Sequence, residues 1–140
     1  MRIILDTNIV SELMRSPAKR NASVVAWFSD LAYADILLNR ITDAEILAGS
    51  HGHPDAVQGR RLRDAWLSIK SRFEMLEFDA GATKAAARFR GERKRQGYAV
   101  SFADAAIAGI ARDAGAALAT RNIADFEGAE IRLINPFLSK

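Results

Sequence analysis

The chain has 140 residues, 49% of them hydrophobic and 26% charged, with a net charge of +3 and no cysteine. That length suits one domain, residues 1–140, with a core large enough to need no cross-links. Disulfide scaffolds, thiolate metal centres and disordered chains are thereby excluded. No run approaches the ~18 apolar residues of a membrane span. Arg2, three apolar residues and Asp6 do not make the start of a signal peptide, so a cytoplasmic protein is expected.

Short apolar runs alternate with helical patterns along the chain, which predicts βαβ units and a mostly parallel sheet, an α/β fold of three layers. The first strand is residues 2–5, followed by a helix over 8–14 that stops before Pro17. Residues 22–31 place Val24, Phe28 and Leu31 on one helical face, with Trp27 beside them. The second strand, 36–39, leads into a helix over 42–48 that stops at Gly49. His51 and His53 flank Gly52, and an exposed loop is the expected reading rather than a His-x-His metal site. A long Arg-rich helix follows over 55–72, then a strand of mixed polarity at 75–78. A helix over 80–96 ends at Gly97, a normal C-terminal breaker. A nearly uncharged helix over 101–113 ends before Gly115. Strands at 117–119 and 131–134 complete the set, and Pro136 closes the fold.

Three acids stand out by position. Asp6 directly follows Ile3-Ile4-Leu5, where the carboxyl end of a strand meets a helix, and ligands of open α/β sheets bind at such ends. Asp104 is the only charged residue between Tyr98 and Ala111, on a helix apolar enough to be mostly buried, and a buried carboxylate is costly unless paired or bound to a cation. Glu45 follows the run Ile36-Leu37-Leu38. Each has a plainer reading. Ser101-Phe102-Ala103-Asp104 and Thr42-Asp43-Ala44-Glu45 both fit a capping box, and Asp6 can serve a helix dipole. Together the three fall in first turns on one expected edge, where like charges repel unless a cation lies between them. Mg²⁺ or Mn²⁺ suits oxygen-only ligands and would promote phosphodiester hydrolysis. After the fourth strand, Thr120-Arg121-Asn122-Ile123-Ala124-Asp125-Phe126 adds polar groups. There Arg121 is either a phosphate contact or solvated, and Asp125 is either a fourth acid or a helix cap.

These segments resemble the PIN domain family, in particular the VapC/FitB-type toxins of bacterial toxin–antitoxin pairs. The matching pieces are Ile4-Leu5-Asp6-Thr7-Asn8-Ile9-Val10-Ser11-Glu12, Ile41-Thr42-Asp43-Ala44-Glu45-Ile46, Ser101-Phe102-Ala103-Asp104-Ala105-Ala106-Ile107-Ala108, the Leu118 to Phe126 segment and the ending Ile134-Asn135-Pro136-Phe137. Each motif alone is weak, but their ordered set is specific. The resemblance implies a three-layer fold with a five-stranded parallel sheet and a Mg²⁺- or Mn²⁺-dependent endoribonuclease using a metal-activated water. It carries the metal and catalytic carboxylates onto Asp6, Glu45 and Asp104, and hydroxyls that orient them onto Thr7 and Thr120, with Ser11 in the same polar shell. The family's usual fourth acid falls on Asn122, a departure for which Asp125 can substitute. That departure is the one feature favouring the alternative of a catalytically silent PIN scaffold that only binds RNA or a partner, and the intact Asp6, Glu45 and Asp104 argue against it. The resemblance further implies a small VapB/FitA-like antitoxin that also binds operator DNA, and a homodimer.

Two surface features have readings from the residues alone. Ile9, Val10, Leu13, Val24, Trp27 and Phe28 either line a groove for a partner helix or are core. Of the 20 basic residues 15 are Arg, which suits phosphate but is also the mark of a GC-rich coding sequence. The clusters Arg60-Arg61-Arg63 and Arg90-Arg93-Lys94-Arg95 either grip an RNA backbone or form solvated helix faces, with Arg60–Asp64 and Arg88–Glu92 as i,i+4 pairs.

Overall fold

The computed structural model describes residues 1–138. Strands β1 (Ile3–Leu5), β2 (Ile36–Asn39), β3 (Glu74–Leu76), β4 (Ala117–Ala119) and β5 (Leu133–Ile134) form one sheet in the order β3-β2-β1-β4-β5, and every neighbouring pair is parallel. The connecting helices are α1 (Thr7–Leu13), α2 (Ala22–Ser29), α3 (Arg40–His51), α4 (Ala56–Lys70), α5 (Ala80–Arg95) and α6 (Phe102–Ala114). Successive strand side chains point to opposite faces. Ile4, Leu37 and Leu118 pack into a core with Phe89 of α5 and Ile107 and Ile110 of α6. Ile3, Leu5, Ile36 and Leu38 pack on the other side with Ile9 and Val10 of α1, Val24 of α2 and Trp66 of α4. The expected three layers are therefore present. Because both faces of the inner strands are covered, those strands read as continuous apolar runs rather than alternating ones.

Helices α5 and α6 pack with their backbones in close approach. A Cβ on Gly109 would lie 2.3 Å from the Ala82 carbonyl oxygen and 2.7 Å from Ala86 Cβ. Only a glycine lets the two backbones approach so far. That contact fixes α6, and with it Asp104, against the sheet.

The direction of chain progress across the sheet changes at β1. Strands β2 and β3 add on one side of it, and β4 and β5 on the other. In open parallel sheets the crevice at such a switch, outside the carboxyl ends of the strands, is where ligands bind. Asp6 directly follows β1 and Thr120 directly follows β4, so both stand at that crevice.

Several boundaries differ from expectation. Helix α3 starts at Arg40, not Thr42, because Asn39 is its cap and its side chain accepts the Thr42 amide. It also runs through Gly49 to His51. A glycine costs a helix only about 1 kcal/mol, and Gly49 has open space where a Cβ would stand, so nothing forces a stop there. Strands β1, β3 and β5 are shorter than predicted, and β3 is shifted one residue towards the N-terminus. Three 3-10 turns, Pro17–Lys19, Tyr33–Asp35 and Ile123–Phe126, fill segments that carried no pattern. Pro136 stands in the closing turn, where the Leu138 amide donates to the Asn135 carbonyl. Among the described residues no helix is long and apolar enough to cross a membrane.

Candidate active site

Asp6 is 5% exposed and ends β1 in extended conformation, so that its carboxylate caps α1. Oδ1 accepts the Thr7 amide at 2.8 Å. Oδ2 accepts the Thr120 hydroxyl at 2.7 Å and the Asn8 side-chain amide at 3.3 Å. The Thr120–Asp6 bond joins the ends of β1 and β4 across the crevice. Thr120 is itself fully buried, and its oxygen also accepts the Asn122 amide at 3.0 Å. The dipole reading of Asp6 is thus correct as far as it goes, but the cap uses only one of the two oxygens.

A second chain of hydrogen bonds aims Glu45. Asn39 is fully buried at the end of β2. Its Nδ2 donates to the Leu5 carbonyl at 3.1 Å and to Thr42 Oγ1 at 3.0 Å. Thr42 Oγ1 lies 2.9 Å from Thr7 Oγ1, and the Thr7 hydroxyl donates to Glu45 Oε1 at 2.6 Å. Because Thr7 donates to the carboxylate, the Thr42 hydroxyl must donate to Thr7. The order Asn39, Thr42, Thr7, Glu45 has one proton direction, and it ends on an acid that reaches solvent.

Asp104 lies in the first turn of α6. Ser101 caps that helix, its Oγ accepting the Asp104 amide at 3.1 Å. The capping reading of Ser101 is correct, and it places the Asp104 carboxylate at the crevice. The reading of Thr42 as a cap is wrong, since its hydroxyl belongs to the Glu45 relay. Asp6, Glu45 and Asp104 line one cleft of about 520 Å³ together with Thr7, Ser11, Arg121 and Asn122.

Acids outnumber bases on the cleft wall, Asp6, Glu12, Glu45 and Asp104 against Arg15 and Arg121. Burial pushes the Asp6 carboxyl above the usual carboxylate range, the Thr120 and Thr7 hydrogen bonds oppose the rise, and the charges of Asp104 and Glu45 add to it. Burial also raises Asp104, followed by the charges of Asp125 and Glu45. No Lys, Arg or His pairs with Asp6, Glu45, Asp104 or Asp125 among the described residues.

Asp125 is exposed within the 3-10 turn Ile123–Phe126, beside the buried Phe126. It does not cap that turn, and it acts on Asp104 through charge alone. Asn122 lies on the cleft wall. Arg121 lines the cleft as well, with its guanidinium 4.6 Å from the centre of the Phe137 ring and its amide donated to Asn8 Oδ1 at 3.2 Å. Ile9, Val10 and Val24 are core, whereas Leu13, Trp27 and Phe28 are half-buried. His51 and His53 take part in local contacts with Arg63 and the Asp55 amide.

The sequence reading missed Asn39 and Thr42 as site supports. The signal for Asn39 was present, because a polar residue closes the apolar run Ile36-Leu37-Leu38 just as Asp6 closes Ile3-Ile4-Leu5. It also missed Asp43. That side chain is buried and accepts from Trp66 Nε1 at 2.7 Å, Lys70 Nζ at 2.9 Å and Arg40 Nη1 at 2.7 Å, which ties α3 to α4.

Among the described residues no three His, Asp or Glu side chains are gathered into a compact metal cage. That arrangement still fits Mg²⁺, which keeps several waters and binds through one or two carboxylates plus substrate phosphate. Asp6 meets that requirement as a buried, hydrogen-bonded carboxylate without a cation, and Asp104 faces the same cleft.

The PIN domain family model matches residues 3–129. The chain belongs to the PIN domain family. Among its relatives, the plasmid stability protein StbB of Pseudomonas syringae pv. tomato is 37% identical over 96% of this chain and 98% of its own. Toxin FitB of Neisseria gonorrhoeae is 32% identical over 96% and 98%. VapC ribonuclease Y4jK of Sinorhizobium fredii is 31% identical over 96% and 97%. A solved structure of FitAB bound to an IR36 DNA fragment contains a chain 31% identical to this one, with a TM-score of 0.83 over 99% of this chain and 97% of that one. As a PIN domain, the chain has its acids at the carboxyl edge of a five-stranded parallel sheet, on a fold shared across its full length with that neighbour.

Proposed function

We propose that this PIN domain is a metal-dependent endoribonuclease, the toxin half of a VapBC/FitAB-like toxin–antitoxin pair. The observation that carries the reading is the Asp6 carboxylate. It is buried at the sheet's switch point, oriented by Thr120, near Asp104 and Glu45, and makes no ion pair among the described residues. Asp6 and Asp104 would hold a Mg²⁺ or Mn²⁺ ion. When bound, such an ion would lower the pKa of a water and neutralise charge on a phosphoryl group. Glu45, aimed by Thr7, would accept a proton at Oε2 or hold a water there, since Oε1 is occupied. Arg121, supported by the Phe137 ring, would contact a non-bridging phosphate oxygen. Asn122 can orient a water but adds no charge, and Asp125 supplies negative potential from outside the cleft.

The relatives support the substrate class and the partner. Y4jK is named a ribonuclease, FitB is named a toxin, and FitAB has been solved on DNA. By that likeness a FitA/VapB-like antitoxin that binds operator DNA would neutralise this chain, and the toxin would act as a homodimer. The test uses antitoxin-free protein and end-labelled RNA, with Mn²⁺ or Mg²⁺ and with EDTA. Metal-dependent cutting that falls at least ~100-fold in Asp6→Asn supports the reading. Binding without cutting in any metal would support the silent scaffold instead.

A further inference from the structure

Helix α5 ends in a basic and aromatic surface that the carboxylate site does not use. The last two turns of α5 carry Arg90, Arg93, Lys94 and Arg95. None of the four forms an ion pair among the described residues, whereas the neighbouring Arg88 is paired with Glu92 at 3.0 Å. Four cations without an ion pair within six residues repel one another, which an anion lying along them would relieve.

The helix ends in a Schellman motif. The Tyr98 amide donates to the Arg93 carbonyl at 2.9 Å and the Gly97 amide to the Lys94 carbonyl at 3.0 Å, with Gly97 at φ +90°. This reversal folds Tyr98 back onto α5, and the Arg93 guanidinium lies 3.8 Å from the centre of its ring. Arg93 Nε is buried with no hydrogen-bond partner among the described residues, and Nη1 donates to Gln96 Oε1 at 3.0 Å, so the guanidinium is held over the π face from the helix end. One face of Tyr98 is therefore occupied and the ring is held in place. The residue nevertheless remains 56% exposed, so the second face is open.

Beside the ring is a trough of about 670 Å³ lined by Arg90, Gly91, Lys94, Gly97 and Val100. Arg90 Nε donates to the Val100 carbonyl at 3.0 Å. That bond ties the trough to the segment that becomes, one residue later, the Ser101 cap of the helix bearing Asp104.

We propose that this surface binds single-stranded RNA running out of the carboxylate cleft, with one base stacked on the open face of Tyr98 and backbone phosphates against Arg90, Lys94 and Arg95. The inference rests on the ribonuclease reading for the identity of the strand. The chemistry is that of a single-strand site, where a basic track follows the backbone and a fixed aromatic ring takes a base face without regard to sequence. A duplex offers no free base face, so the ring discriminates against it.

The test measures fluorescence anisotropy of a short labelled RNA with antitoxin-free protein in EDTA, so that nothing is cut. Tyr98→Ala is expected to weaken single-strand binding by about tenfold, while Tyr98→Phe, which keeps the ring, stays near the parent. Duplex RNA of equal length should not respond to Tyr98→Ala. The double variant Arg90→Ala/Lys94→Ala should lower the slope of log affinity against log salt by about 1.4. Unchanged single-strand binding in Tyr98→Ala overturns the proposal, as does an equal loss in Tyr98→Phe or on duplex RNA. A parent that cuts RNA while Tyr98→Ala binds normally removes this site and leaves the nuclease. A parent that binds with the expected losses but never cuts removes the nuclease and leaves this site. No RNA binding by the parent overturns both.

Discussion

Replacing Thr120 by Val removes one hydroxyl and preserves the shape of a fully buried side chain. Three hydrogen bonds are lost, one donated to the Asp6 carboxylate at 2.7 Å, one accepted from the Asn122 amide at 3.0 Å and a long one accepted from the Asn8 side-chain amide at 3.5 Å. A bond to a charged group contributes about 1.5–3 kcal/mol and a neutral one about 1 kcal/mol, so the variant should be less stable by roughly 2–4 kcal/mol. The loss should depend on pH. Burial raises the Asp6 carboxyl above its ordinary value of 3.8, and the Thr120 bond is the largest influence holding it down. A carboxyl raised on folding binds its proton more tightly in the folded state. Folded stability therefore declines as pH rises from the unfolded value through the folded one. Without Thr120 the rise is larger, so the variant's deficit is greater near pH 7 than near pH 4. Urea unfolding in EDTA at about those two pH values measures it. A loss under about 0.5 kcal/mol, or an equal loss at both pH values, would refute the proposed role of the Thr120–Asp6 bond.

Other perturbations probe separate parts of the structure. Thr7→Val breaks the relay at the donor to Glu45; cleavage should fall by about 10–100-fold with little loss of melting temperature, because Glu45 reaches solvent. Asp43→Asn should cost about 2–4 kcal/mol, somewhat below the roughly 3–5 kcal/mol of a fully buried ion pair because Arg40 is half-exposed. For Asp43, burial raises the carboxyl, but the Lys70, Trp66 and Arg40 hydrogen bonds outweigh it and hold the value below 3.8. Its stabilisation is therefore present above that value and lost as pH falls through the folded one, so acid titration of Asp43→Asn should show a flatter decline than the parent. Gly109→Ala must separate α5 from α6 and should cost about 1–3 kcal/mol by thermal unfolding. Asp125→Asn should lower the Asp104 carboxyl by NMR titration, since the Asp125 charge raises it, and should leave the fold unchanged.

The parts of this fold that could be read from the sequence were those where one physical demand dominates. Ile3-Ile4-Leu5 and Ile36-Leu37-Leu38 are buried on both faces, so nothing polar interrupts them until Asp6 and Asn39 mark the sheet edge. The isolation of Asp104 on an apolar helix, with Ser101 three residues before it, identified both its cap and its site. Where two demands competed, the pattern was ambiguous. Thr42, Asp43 and Glu45 spell a capping box, yet Asn39 takes the cap, which frees Thr42 for the relay and sends Asp43 to Trp66 and Lys70. Those partners are more than twenty residues away, and no local spacing encodes them. The proposed RNA surface was ambiguous for the same reason. Arg88 does find Glu92, but Arg60 and Asp64 form no ion pair among the described residues, and the Arg93–Tyr98 stack depends on the helix reversal at Gly97.

The central claim is that the acids following β1 and opening α6 share one divalent cation. Anomalous diffraction from crystals of the antitoxin-free protein grown with Mn²⁺ tests it most directly. A peak held jointly by the Asp6 and Asp104 carboxylates, and absent in Asp6→Asn crystals, is the predicted result. Crystals saturated with Mn²⁺ that show no peak in the cleft, or one that survives Asp6→Asn, would contradict it.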